Sequence, residues 1–137
     1  MQLDLSTCQE MILSATDKAR ELGAKVSVAV VDAGGNLVAF GRMDGAEIAG
    51  TTLAVDKAYT SVSNRISTQE LSVLAAPGGP LFGLHANGGG RFVIFGGGTP
   101  VLTAGDVVVG AVGVSGGTVD EDVACSAAAV AFFDGLG

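Results

Sequence analysis

Gly105-Asp-Val-Val-Val-Gly-Ala-Val-Gly-Val-Ser-Gly-Gly-Thr-Val-Asp-Glu-Asp122 is the stretch on which the fold turns. Residues 107–114 form a short apolar, β-branched run, which predicts a strand buried on both faces. Ser115, Gly116 and Gly117 predict a sharp turn. Thr118 stands three residues before Glu121, the spacing of a capping box, with Asp120 and Asp122 also in the first turn of a helix. A buried strand that passes through two glycines into a helix start leaves backbone N–H groups there, and such a place can hold a ligand.

Downstream, the helix is expected over 118–133, and its small residues at 124–131 suit close packing. Upstream, residues 78–117 carry 14 of the 22 glycines. Strands are predicted within that span at 91–95 and 107–114, with a further short one at 101–104. The glycines fall at strand ends and turns, where positive φ or close backbone approach is allowed. Ser67 and Glu70 form a capping box for a short helix that ends near Ala75, before Pro77-Gly78-Gly79-Pro80. A longer helix is expected over 46–63. Its apolar side, around Ala49, Leu53, Ala58 and Val62, is mostly small. Residues 26–31 and 37–42 flank the turn signal Asp32-Ala33-Gly34-Gly35-Asn36 and predict an antiparallel hairpin. The first helix is expected over 6–22, capped by Ser6 with Gln9 and stopped by Gly23. Cys8, Ile12, Ala15, Ala19 and Leu22 make its inner face. Hairpin connections dominate this order, so the chain predicts one α+β domain over 1–137, a mainly antiparallel sheet with helices on its faces.

The 137 residues can enclose a real core, and 48% of them are hydrophobic while only 15% are charged. A net charge of -7 argues against nucleic acid and anionic membranes as partners. Apolar runs are too short to span a bilayer and no secretory signal stands at the N-terminus, so the expected location is cytoplasmic. Sparse charge leaves apolar surface to cover, which predicts a homo-oligomer. Cys8 and Cys125 are expected as buried, reduced thiols.

Several patterns invite chemistry. Gly113-Val-Ser115-Gly-Gly117 matches G-x-S-x-G between a strand and a helix. Hydrolases with that elbow carry their histidine after the serine, whereas the only histidine here, His85, precedes it, so Ser115 reads as a turn residue and not a nucleophile. His85 lies in a polar loop, either simply exposed or serving as an axial ligand or proton carrier. One histidine and two distant cysteines give no zinc spacing, so no metal site is expected. The glycine loops lack the phosphate-cradle motifs. Asp120, Glu121 and Asp122 read either as ligands for a cation or as complements to the positive helix end, the second being favoured. Arg42, Asp44 and Lys57 are charges near element ends in a chain poor in charge. They read either as a surface ion pair or as an anchor for a carboxylate.

Val30-Val-Asp-Ala-Gly-Gly-Asn-Leu-Val-Ala-Phe40 followed by Arg42-Met-Asp-Gly-Ala46 resembles the opening signature of the haem-degrading-domain family, the GlcG/HbpS-like proteins. That family also includes the C-terminal domain of PduO-type cobalamin adenosyltransferases. Lys57-Ala-Tyr-Thr60, Gly89-Gly-Arg-Phe92, Gly96-Gly-Gly-Thr-Pro-Val101 and Val108-Val-Gly-Ala-Val-Gly-Val-Ser-Gly-Gly117 extend the likeness along nearly the whole chain. The resemblance implies a profilin-like or PAS-like fold with an antiparallel sheet of about five strands, and assemblies from dimer to octamer. It implies haem or another tetrapyrrole as ligand, in sensing, storage or degradation. An alternative is a cytoplasmic enzyme or accessory protein acting on a small hydroxy- or oxo-acid in glycolate- or diol-type catabolism. The ligand site is expected where the hairpin end, the second helix and the glycine turns meet. Gly97, Gly98, Gly116 and Gly117 would give a ligand room. Arg42 and Lys57, with N–H groups near Thr118, would hold an anion, Asp44 would pair with one base in its absence, and His85 would serve as axial partner if the ligand is haem.

Overall fold

The computed structural model describes residues 3–137. Helix α1 spans Leu5–Leu22 and Gly23 stops it in the left-handed conformation at φ 73°. Its cap is Asp4, not Ser6: the Asp4 carboxylate accepts the Thr7 N–H at 2.9 Å, which places Ser6 inside the first turn. Strands β1 (Ser27–Asp32) and β2 (Leu37–Arg42) form the expected hairpin. One carboxylate oxygen of Asp32 accepts the N–H groups of both Gly34 and Asn36 at 2.9 Å, while Gly35 takes φ 80°.

Helix α2 spans Gly50–Asn64, starting four residues later than expected because residues 46–49 form successive tight turns without a side-chain cap. Helix α3, Thr68–Leu74, is capped by Ser67, whose hydroxyl accepts the Glu70 N–H at 3.1 Å. Two 3₁₀ turns, Leu84–Ala86 and Gly88–Gly90, follow. Residues 91–95, expected as a strand, are not one. Their backbone is fastened by a side chain instead: the Val93 N–H donates to Thr60 Oγ1 of α2 at 2.9 Å. Strand β3 runs Gly98–Leu102, β4 runs Val108–Ser115 and helix α4 runs Val119–Gly135. The Thr118 and Glu121 side chains make the full capping box of α4.

Among the described residues the sheet has four strands where about five were expected, in the order β2-β1-β4-β3, and every neighbouring pair is antiparallel. The hairpin and β3 leave β4 in the interior of the sheet, which is why its last six residues are all buried. On one face Val28, Val30, Val112 and Val114 pack with Cys8, Met11, Ala15, Ala129 and Phe133 of α1 and α4. The alternate residues Val31 and Ala111 turn to Ala58 and Val62 of α2. Gly98 and Gly113 are partners across β3 and β4, and both lie directly beneath α2. A Cβ on Gly113 would run into the Ala54 carbonyl, and one on Gly98 into the Lys57 carbonyl. The missing side chains let helix and sheet backbones touch, an architecture that is α+β with a helical layer on each side of an antiparallel sheet.

Candidate functional site

Lys57 is the largest fully buried side chain of the described residues. It leaves α2 at the level of Gly97 and Gly98 and reaches the last residues of β4. There its Nζ donates to the Val114 carbonyl at 2.9 Å and to Asp122 Oδ2 at 3.1 Å. The two side chains retain 1% and 4% of their exposure, so the pair is an internal link between α2 and α4. The Phe95 ring lies over the ammonium at 5.0 Å. The other carboxylate oxygen of Asp122 accepts the Gly117 N–H at 2.9 Å. Burial pushes the Asp122 carboxyl above the ordinary aspartate range, and the Lys57 charge and the backbone N–H groups only partly reverse this. Burial likewise draws the Lys57 amine down against the opposing pull of Asp122.

This geometry changes the meaning of several expected site residues. Lys57 does not pair with Asp44 and does not face solvent. The space beside Gly97 is taken by Lys57 and the Val114 carbonyl, and the space beside Gly98 by the α2 backbone. Gly116 closes against Lys25 and Val26, and Gly117 against Glu121 and Ala24. At the start of α4 the N–H groups of Gly117 and Thr118 are already bonded, to Asp122 and Glu121 at 2.9 Å each. Gly116, Gly117 and Thr118 do line an open hollow of about 620 Å³, shared with Lys25, Gly45, Glu47 and Glu121, but its walls bring two carboxylates with one amine. Of the acidic trio, Asp122 is the internal partner of Lys57 as well as a helix-end residue.

Arg42 and Asp44 are exposed. They line a separate hollow of about 450 Å³ with Ile12, Leu13, Thr16, Arg20 and Lys25. The structure therefore brings Lys57 together with Gly97 and Gly98, and through Asp122 with Gly117, but sets Arg42 and Asp44 apart. His85 stands apart from both groups. It is exposed in the first 3₁₀ turn, with the Phe82 ring edge-on at a centroid distance of 6.4 Å. Leu81 and Phe82 are exposed beside it in the chain, at 41% and 62%. Ser115, by contrast, is 4% exposed at the end of β4, opposite Ser27 of β1. Both thiols lie in the core, each pushed up to about 11 by burial, and both are free.

Two residues have roles that their sequence patterns do not announce. Asp122 is 65 positions from Lys57 in sequence, and no local pattern announces such a pair. Arg91 stands in the sequence as part of an expected strand and of the family-like motif Gly89-Gly-Arg-Phe92, with no site role assigned. It is a half-exposed cation whose Nε donates to Asp56 Oδ1 at 2.9 Å, with the guanidinium carbon 3.8 Å from the centroid of the Tyr59 ring. The signal available was the run Asp56-Lys57-Ala58-Tyr59, which puts Asp56 and Tyr59 one turn apart on a helix.

An uncharacterized 15.0 kDa protein from the dhaT-dhaS intergenic region of Citrobacter freundii is 42% identical over 120 residues, 88% of this chain and 84% of that protein. The corrinoid adenosyltransferase PduO of Salmonella typhimurium is 34% identical over 129 residues, and these span 94% of this chain but only 38% of PduO. Among solved structures, a complex of PduOC with haem superposes with a TM-score of 0.89 at 33% identity, covering 96% of this chain and 95% of that one. Residues 3–131 match the family model described as haem degrading protein HbpS-like, and the chain belongs to that HbpS-like family.

Proposed function

We propose that the protein binds haem or another tetrapyrrole, for sensing, storage or degradation, with His85 as the axial ligand. The observation that carries this reading is the likeness, along 96% of the chain, to a domain solved as a haem complex. The side chains present suit the group. His85 offers an exposed imidazole, and Leu81 and Phe82 beside it in the chain offer apolar surface for a porphyrin face. Bound haem would supply an iron centre and an intense Soret absorption. The protein's own part is to give the iron a nitrogen and the ring an apolar bed. The exposed apolar residues of this loop also suit a homo-oligomer, in which a second copy covers what one chain leaves open.

Absorption titration with haemin tests the reading. A Soret shift that saturates at one haem per chain is expected. Absence of any shift at micromolar protein would overturn it. The other reading, an enzyme acting on a small hydroxy- or oxo-acid, gives the substrate carboxylate to Arg42 or Lys57; Lys57 is ion-paired inside the protein, which leaves that role to the exposed Arg42.

A further inference from the structure

We propose that Arg91 is the carboxylate anchor of the ligand site, presenting its two terminal guanidinium nitrogens to an acid group of the ligand, which for haem is a propionate. This rests on the tetrapyrrole reading above and names a contact that reading leaves open.

The guanidinium is held from two sides. Asp56 Oδ1 accepts a hydrogen bond from Nε at 2.9 Å, and the guanidinium carbon lies over the Tyr59 ring, 3.8 Å from its centroid. Asp56 and Tyr59 are three residues apart on α2, so one helix face supplies both the tether and the platform. The Tyr59 ring is itself backed by Phe92, with centroids 6.0 Å apart. A guanidinium held by a hydrogen bond at Nε and by a ring against its carbon has already lost part of the rotamer freedom that a free arginine would lose on binding. Nη1 and Nη2 have no hydrogen-bond partner among the described residues, and 42% of the side chain remains accessible. That is the fork a carboxylate fits with two parallel bonds.

The contrast with Arg20 shows what is special. Arg20 also pairs with an aspartate, Asp17, but the two side chains are 63% and 74% exposed and no ring among the described residues supports them. Nor is the Arg91 side chain required to fasten its own segment. Thr60 does that, accepting the Val93 N–H at 2.9 Å and approaching the Arg91 carbonyl at 3.4 Å. Placement agrees as well. Arg91 follows His85 by six residues, across two consecutive 3₁₀ turns that pack on each other. A ligand bound at the imidazole with an acid group on its rim has a prepared cation in the same loop.

The test compares haemin with its dimethyl ester, which keeps the iron and ring and removes both carboxylates. Wild-type protein is expected to bind haemin about tenfold more tightly than the ester, the usual worth of one charge-assisted contact. Arg91→Gln should shrink that preference to about threefold or less, leaving ester affinity and the Soret position unchanged. Arg91→Lys, which keeps the charge without the fork, should fall between, and it carries the comparison if the glutamine variant does not fold. If wild type shows no preference for haemin, or if Arg91→Gln weakens haemin and ester equally, Arg91 is not the anchor, although the haem reading survives. If wild type binds neither compound, the haem reading fails and this inference fails with it.

Discussion

Removing the Lys57 amine leaves the Asp122 carboxylate inside the protein with the Gly117 N–H as its remaining hydrogen-bond partner. Lys57→Ala should therefore cost roughly 3–5 kcal/mol of unfolding free energy, as is usual when one member of a buried pair is deleted. The joint change Lys57→Met with Asp122→Leu should cost much less, and denaturant titration of the three proteins checks both statements. An anchor at the surface would behave in the opposite way, losing ligand with little change in stability. The same pair predicts a pH signature. Asp122 is raised above 3.8 in the folded protein, so it holds a proton there that the unfolded chain has lost. Its contribution to stability falls as pH climbs from 3.8 through the raised value. Lys57 is lowered below 10.5, so its contribution rises as pH climbs from the lowered value towards 10.5. Stability of wild type relative to the Lys57→Met, Asp122→Leu protein should thus dip between the two titrations. A profile that peaks there would contradict the desolvation argument. Ser27 offers a simpler case. Its hydroxyl is buried without a hydrogen-bond partner among the described residues. Ser27→Ala should raise stability by about 1 kcal/mol, measured by the same denaturation.

Elements show where glycine matters. Gly113 sits under the Ala54 carbonyl of α2, and neither backbone can retreat without breaking the helix or the sheet. Gly113→Ala is expected to cost about 3 kcal/mol or more, and a thermal melt within a degree or two of wild type would contradict that close contact. The hairpin was legible because Asp32, Gly35 and Asn36 act on their own neighbours, and the α4 start was legible because Thr118 and Glu121 cap each other. Interactions within a few residues leave a local pattern. Residues 91–95 misled for the complementary reason. Their β-branched and aromatic content suits a strand, but Thr60, some thirty positions away, takes the backbone. The glycines at 97 and 98 were legible as places of close approach, whereas Gly113, inside β4, was not. What approaches is α2 and Lys57, and sequence spacing carries no record of that.

At the scale of the whole molecule, charge is sparse and apolar surface remains. Leu5, Leu13, Val38 and Phe40 line one hollow between α1 and the edge strand β2, while Leu81 and Phe82 crown the loop of His85. A protein with such faces should assemble, and light scattering at micromolar concentration is expected to exceed the mass of a single 13.5 kDa chain. The central claim is that this molecule holds haem through the imidazole of His85. The most direct measurement is the electron paramagnetic resonance spectrum of the haem-loaded protein, compared between wild type and His85→Ala at equal loading. Because His85 is exposed and supports no core contact, the variant should fold as wild type does. The account predicts a nitrogen-ligated iron signal in wild type, its loss in His85→Ala, and its return when free imidazole is added. An unchanged nitrogen-ligated signal in the variant would contradict it.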